Sequence, residues 1–406
     1  MNILYINHYA GSPSYGMEYR PYYMAKEWVN LGHKVRIVAS SFSHVRRTQP
    51  VDKSIELIDG IEYQWIKSNS YVSNGFMRVI NIFTFLFSFF LIHRKIVNDF
   101  KPDVVIASST YPLDIYIAKL IADRVSAKLV FEVHDLWPLS PIEIGGMSPK
   151  HPFIYLCQHA ENYAYKNADA VVSMLPKVHT HMQDHGLDLA KLHIIPNGIS
   201  IHEWDGSSDI PLIDNINDKI IDIRSNGGVV CGYAGSHGKP NALIYLLESA
   251  YRLRESNIHF ILVGSGLEKD TLLKYKNDMC LDNVHFFEPI PKGMIPSFLS
   301  AIDFAYIGAE PNALYRFGIA PNKMMDYMMA QRPILNAIDA GNDPVSDSGC
   351  GLTVSSANVE DIVKGIKYLS NLTCSERSDM GSKGRTYILE HHLYSKLASD
   401  FVEVMK

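Results

Sequence analysis

Short apolar runs alternate with longer stretches of helical period along most of this chain. The runs at 3–7, 35–39, 104–107, 129–133, 170–173 and 193–195 read as buried strands. Between them, 17–31, 112–125 and 152–167 repeat apolar residues every three or four positions and read as helices. The alternation lapses across 205–228, a polar, turn-rich stretch that reads as a linker. It restarts with strands at 229–233, 259–263, 284–287, 304–307 and 333–336 and helices at 241–254 and 268–277. Strands alternating with helices imply parallel sheets covered on both faces, so the pattern predicts an α/β protein of two doubly wound domains. Ligands of such sheets bind beyond the carboxyl ends of the strands.

The 406 residues suit two cores better than one. A composition of 47% hydrophobic and 20% charged residues is that of a globular protein, and a net charge of −5 gives no electrostatic case for nucleic acid. Five scattered cysteines with no CxxC pair argue against a structural zinc and fit a reducing compartment. The opening MNILYINHYAG lacks the basic and apolar regions of a signal peptide, so a cytoplasmic protein is expected. One segment strains that picture. VINIFTFLFSFFLI at 79–92, flanked by Arg78, Arg94 and Lys95, is short for a membrane span, and Asn81, Thr84 and Ser88 would line one narrow stripe of a helix. It reads either as a core helix or as a helix lying in a membrane surface.

Four loops follow expected strands. NHYAGSPSYGMEYRP carries Gly11 and Gly16 ahead of a helix start; alone it is an ordinary turn. FEVHDLWPLSP places His134 and Asp135 at a strand end beside Trp137, where the imidazole can exchange a proton with a substrate hydroxyl. CGYAGSHGKPNAL offers Gly235, Ser236, Gly238 and Lys239 before a helix, which suits a phosphate although the P-loop pattern is absent, and LVGSGLEKDTLL repeats the idea with Gly264 and Gly266. The fourth, FGIAPNKMMDYMMAQRPIL, is a mostly apolar helix with Lys323 in its first turn, where the helix dipole disfavours a cation unless an anion is present. A diphosphate would meet the amides of Asn322 and Lys323 and the lysine ammonium. Asp326, one turn on, could accept from a ribose diol. The plain alternative is a surface Lys323–Asp326 pair worth roughly 0.2–0.5 kcal/mol, but the surrounding Met and Tyr do not suit a surface.

Read together, LGHKV at 31–35, HDLWP, KNADAVV, IIPNGIS, GYAGSHGK, LVGSGLEKDTL and PNKMMDYMMAQRPIL, in this order, resemble the retaining GT-B glycosyltransferases of family four, the group 1 transferases. The finer resemblance is to the N-acetylfucosamine transferases of bacterial O-antigen assembly. The resemblance implies two Rossmann-like domains facing across a cleft: 1–205, rejoined by a terminal segment 386–406, for the acceptor, and 206–385 for the nucleotide sugar. It implies transfer of an N-acetylated hexosamine or deoxyhexosamine from a UDP-sugar to a lipid-linked saccharide, at the cytoplasmic face of the inner membrane, with no cofactor and no metal. By residue, it implies that the diphosphate lies on Asn322 and Lys323 with Lys239 and the Gly235 loop nearby, and that Asp326 holds the ribose. It further implies that Pro289 and Ile290 hold the uracil, that His134 contacts the sugar and that Gly16 lies in a loop over the phosphate.

The chain departs from the family at three places. The first acid of its E-x7-E motif falls on Gly318, its arginine falls on Ser236 and its lysine falls on Asn241. Glu310 and Arg316 are offered as substitutes. The rival readings are a UDP-N-acetylglucosamine 2-epimerase, which shares the architecture, and a nucleotide-sugar-binding scaffold subunit that has lost catalysis.

Overall fold

A computed structural model describes the chain apart from residues 51–53, 72–74 and 205–209. The chain divides into two compact units, Met1–Gly198 with Tyr394–Lys406, and Ile199–Leu393. The first holds strands β1 (Asn2–Ile6), β2 (Lys34–Ser40), β3 (Ile55–Ile58), β4 (Ile61–Ile66), β5 (Val104–Ala107), β6 (Lys128–Val133), β7 (Ala170–Ser173) and β8 (Leu192–Ile194). They form one sheet in the order β3-β4-β2-β1-β5-β6-β7-β8, parallel except for β3. The second unit holds β9 (Val229–Ala234), β10 (Ile258–Val263), β11 (Val284–Phe287), β12 (Phe304–Gly308), β13 (Ile334–Ala337) and β14 (Gly351–Thr353), all parallel, in the order β11-β10-β9-β12-β13-β14. Every strand read from the sequence is present, within a residue or so of its expected bounds.

The antiparallel β3–β4 hairpin was not read from the sequence. It turns at Asp59 and Gly60, both with positive φ, the left-handed pair that a tight hairpin turn needs. The expected linker 205–228 is also corrected. Residues 205–209 lie outside the described residues, but Asp214–Ser225 is a helix that buries Ile216, Ile220 and Ile223. Those isoleucines recur at 216, 220 and 223, a helical spacing overlooked amid the polar residues.

The terminal segment does not rejoin the first unit from residue 386. Helix Cys374–His391 stays with the second unit, and only helix Tyr394–Met405 packs in the first, against helix Arg20–Asn30. Trp28 anchors that packing: its ring is fully buried, lies 5.1 Å from Phe401 and donates from Nε1 to the Ala398 carbonyl at 3.1 Å. Tyr394 stacks on Tyr23 and donates to Asn197 Oδ1 at 2.7 Å.

The apolar segment at 79–92 sits inside a 25-residue helix, Phe76–Phe100. Ile82, Phe85, Phe89, Ile96 and Val97 pack inward, while Phe83, Phe87, Phe90 and Leu91 are exposed. The polar stripe does not face water as a surface helix would arrange it. Asn81 is buried and donates to the Asn69 carbonyl, and Thr84 bonds back to the Ile80 carbonyl. The outward face of this helix is therefore the apolar one.

Trp28→Ala is expected to lower the stability of the first unit by about 3–5 kcal/mol through cavity formation and loss of the terminal helix. An unchanged urea midpoint would show that the terminal helix is not docked on this ring.

Candidate functional site

In the second unit the carboxyl edge of the sheet brings four loops together. Beyond β9 and β10 the chain passes through Gly235 and Gly264, whose φ values of 156° and 151° only glycine adopts readily. The two loops bind each other: Gly235 N–H donates to the Val263 carbonyl at 3.0 Å, and His237 N–H to the Ser265 carbonyl at 2.8 Å. A Cβ on Gly264 would stand 1.8 Å from the Gly235 carbonyl oxygen, and one on Gly266 would stand 2.4 Å from the His237 carbonyl. The GxG repeat, weak in the sequence, is explained by this backbone contact.

Helix Asn322–Met329 docks on the end of β9 through Tyr327. Its hydroxyl accepts from Ala234 N–H at 3.0 Å and is 3.2 Å from the Ala234 carbonyl. Met324, Met325, Met328 and Met329 fill the core below. One turn before Tyr327, the Lys323 ammonium is carried to the Gly235 loop, 3.3 Å from where a Cβ on Gly235 would lie. It donates to Tyr233 Oη at 3.0 Å and to Asn241 Oδ1, and lies over the Tyr233 ring. Among the described residues no carboxylate pairs with it. Burial lowers its pKa to about 8. The surface Lys323–Asp326 pair is thereby set aside: the partners are neutral and come from strand β9 and the turn after it.

Tyr233 Oη and Asn241 Nδ2 both donate to the Ser236 carbonyl, at 2.7 and 3.0 Å, so Ser236 serves here through its backbone. Lys239 is exposed in the short turn Lys239–Asn241, and no hydrogen bond or ion pair joins it to the Lys323 group among the described residues. Asn322 is exposed at the helix start. Asp326 is half-buried, and burial raises its pKa to about 7. Pro289 and Ile290 follow β11 at the same edge of the sheet, Pro289 exposed and Ile290 packed in the core.

Of the two substitutes for the missing acid, Glu310 is tied to this edge by its N–H, which donates to the Pro240 carbonyl at 3.1 Å. The Arg316 guanidinium instead folds over the Phe317 ring at 4.3 Å. The missing acid has a backbone cause. Gly318 has φ of 100° and ψ of 171°, a conformation that side chains oppose, so no acid can occupy that position without strain.

Gly16 and His134 belong to the first unit. Gly16 closes a tight loop on Ser12 and bridges Arg46. His134 follows β6 and turns back on it: Nε2 lies 2.8 Å from Ser108 Oγ and 3.1 Å from Glu132 Oε2. Glu132, wholly buried, also accepts from Tyr5 and Ser108 and forms an ion pair with Arg20, likewise wholly buried, at 3.0 Å. Burial alone would raise the Glu132 carboxyl, but the Arg20 charge, then His134, holds it well below the usual range. This network fixes the imidazole, leaving Nδ1 as the atom a substrate could meet.

The sequence reading missed Glu132 and Arg20, although alternation in FEVH did place Glu132 and His134 on one face. It also missed His237, whose buried ring has no partner on either nitrogen and whose pKa is lowered to about 4 by burial, then by Lys269. A further group, Glu161, His181 and His185, gathers ligand atoms within 4.8 Å of one another. There Glu161 already accepts from Tyr165 and Gln158 and lies 3.1 Å from His181 Nε2.

Residues 15–198 match the glycosyl transferase 4-like domain, and residues 228–371 match the glycosyl transferases group 1 family. The chain thus carries a glycosyl transferase 4-like region followed by a glycosyl transferases group 1 region. It is 22% identical over 275 residues to a probable glycosyltransferase, WbjE, of Pseudomonas aeruginosa, a stretch covering 67% of this chain and 65% of that protein, just under two thirds of its length. Among solved structures, a sucrose-phosphate synthase from Thermosynechococcus elongatus superposes with a TM-score of 0.73 at 13% identity, covering 100% of this chain and 98% of the other. Anabaena HepE, solved with UDP and glucose, gives 0.66 at 14%, covering 100% and 99%. WaaG, described as a glycosyltransferase of lipopolysaccharide biosynthesis, gives 0.64 at 15%, covering 100% and 99%. At these identities the superpositions establish the GT-B fold of this chain and nothing finer.

The lowered Lys323 pKa has a consequence for stability. The unfolded ammonium titrates near 10.5 and the folded one near 8, so below pH 8 the fold bears the full penalty of holding this charge. That penalty fades as pH rises from 8 to 10.5. Lys323→Met is therefore expected to stabilise the transferase by about 1–2 kcal/mol at pH 7, after discounting for partial exposure, and by less at pH 10. Urea unfolding at the two pH values reads this; a variant less stable at pH 7 than at pH 10, each against wild type, would contradict it.

Proposed function

We propose that this transferase moves an N-acetylated hexosamine or deoxyhexosamine, such as N-acetylfucosamine, from a UDP-sugar to a lipid-linked saccharide in O-antigen or capsule assembly, with retention and without a metal. One observation carries the reading: a half-buried ammonium with no carboxylate partner, Lys323, at the start of a helix beside a glycine loop. A donor diphosphate supplies the missing anion. Lys323 and the helix amides would stabilise the charge that develops on the leaving diphosphate, the role a metal fills elsewhere. The Asp326 carboxyl would accept from the ribose diol. The first unit would hold the acceptor, with His134 Nδ1 turned to the sugar. The UDP and glucose bound by Anabaena HepE, and the lipopolysaccharide role in the WaaG description, support the donor class and the pathway.

We place the acceptor at a membrane because of helix Phe76–Phe100. It is long and apolar enough to cross a bilayer, yet its inner face packs in the first unit. Its outer face offers Phe83, Phe87, Phe90 and Leu91, with Arg94 and Lys95 exposed at the end of the same stretch. This arrangement suits a helix lying in the headgroup region of the cytoplasmic leaflet, the basic pair meeting anionic lipid.

A thermal-shift screen over nucleotide sugars tests the donor. A UDP-sugar is expected to raise the melting temperature, and Lys323→Ala to weaken UDP binding about tenfold or more, as expected for one lost charge-assisted bond. Unchanged UDP affinity in that variant removes the diphosphate assignment. Donor incubated alone should stay intact, whereas an epimerised sugar would favour the isomerase. Tight UDP binding with no transfer to any lipid-linked acceptor would favour the scaffold.

Replacing Phe83, Phe87 and Phe90 together by Ser is expected to release the protein from anionic vesicles with its melting temperature unchanged. A variant that unfolds would instead assign these rings to the core.

A further inference from the structure

The sheet of the second unit has a second charged edge, opposite the one just described. A cavity of about 780 Å³ opens at the amino ends of β9, β12 and β13. Strand β9 is six residues long, so this cavity lies roughly 20 Å from the Lys323 group. Four arginines line it: Arg224 from helix Asp214–Ser225, Arg332 from the turn before β13, and Arg377 and Arg385 from helix Cys374–His391. The last two are eight residues apart and share a helix face. Gly381 lies between them, and a Cβ there would stand 2.0 Å from the Gln331 carbonyl, so the helix is drawn close and both guanidinium groups are brought to the cavity.

Among the described residues Asp303 is the one carboxylate in the lining. Its Oδ1 lies 3.4 Å from Arg377 and 3.9 Å from Arg224, and its Oδ2 accepts from Val230 N–H at 2.8 Å. Among the described residues one negative charge thus faces four positive ones. Arg377 and Arg332 are partly satisfied by backbone: Arg377 Nη1 donates to the Leu372 carbonyl at 2.7 Å and Arg332 Nη2 to the Ser300 carbonyl at 2.6 Å. Arg332 Nε is buried and has no partner. In the first unit the wholly buried Arg20 is balanced one to one by Glu132. Guanidinium groups that line one cavity without matching carboxylates repel one another, and an arriving anion relieves that repulsion. Forked guanidinium donors lining one polar cavity suit the recognition of phosphate.

We infer that this cavity is a second anion site, separate from the nucleotide site, for a phosphate-class ligand carrying more than one negative charge. The charges left unbalanced among the described residues match a diphosphate or a phosphate monoester with a further acidic group. The cavity has room for a ligand of nucleotide size, and Trp204, Pro296 and Met329 give it apolar wall. The inference does not depend on the identity of the donor sugar. The same chemistry could come from a soluble phosphate ester or from the headgroup of an anionic phospholipid.

The test uses the full chain carrying Lys323→Ala, which removes the other cation from the comparison. Inorganic pyrophosphate is titrated calorimetrically into this protein, and into the same protein with Arg224→Gln and Arg385→Gln added, neither of which donates to backbone in the structure. The expected result is binding in the first that weakens about a hundredfold in the second, about tenfold per lost charge-assisted bond. Asp303→Asn, which removes the competing carboxylate, is expected to tighten it. In a parallel arm, sedimentation with vesicles of an anionic phospholipid that falls in the arginine variant, with pyrophosphate unbound throughout, assigns the site to a lipid headgroup. Equal binding of pyrophosphate with and without the two arginines, or binding of neither probe, overturns the inference. Retained melting temperature and retained sugar transfer in an Arg224→Gln, Arg385→Gln protein with Lys323 intact separate loss of this site from loss of the fold or of the donor reading.

Discussion

The second unit is organised around one electrostatic constraint, an ammonium held in a half-buried position by two neutral oxygens. Lys323 is delivered there by Tyr327, whose hydroxyl pins the helix to the last residue of β9, and is admitted because Gly235 has no side chain. Neither Tyr233 Oη nor Asn241 Oδ1 neutralises the charge. Such a site is costly in the empty protein and favourable once an anion arrives. Strain and unpaired charge of this kind are what a binding site retains and a purely structural helix start would lose.

This arrangement also accounts for a departure that the sequence left open. The family lysine falls on Asn241, yet Asn241 accepts a hydrogen bond from Lys323, so a cation stands beside the vacated position but arrives from a different loop. The missing acid at Gly318 has a different cause. Its backbone conformation belongs to glycine, and Glu310, after β12, is an acid tied to the same edge of the sheet. In the first unit the corresponding centre is a closed network. Arg20 and Glu132 balance each other in full burial, and His134 is oriented by the remaining lone pairs of that carboxylate.

The apolar helix shows how one pattern can carry two opposite meanings. Phe, Ile and Leu at nearly every position between 79 and 92 make burial and membrane contact look alike, because periodicity separates faces only when polar residues mark one of them. Here the polar residues mark the wrong face. Asn81 turns inward to a backbone carbonyl, and three phenylalanines turn out. The β3–β4 hairpin and the helix at 214–225 were missed for a related reason: each is short, and its few apolar residues lie among polar ones.

The sequence by itself determined the architecture, because strand and helix periods are local and two runs of strict alternation admit little but two parallel sheets. It also singled out the loops that break local rules, with glycines at strand ends and a lysine at a helix start. Only the tertiary structure decided what those anomalies touch. Lys323 meets partners 82 and 90 residues away, Arg20 meets Glu132 across 112, and four arginines from three separate segments meet at one sheet edge. Those meetings depend on strand order, and strand order is settled by packing between segments that no local pattern relates.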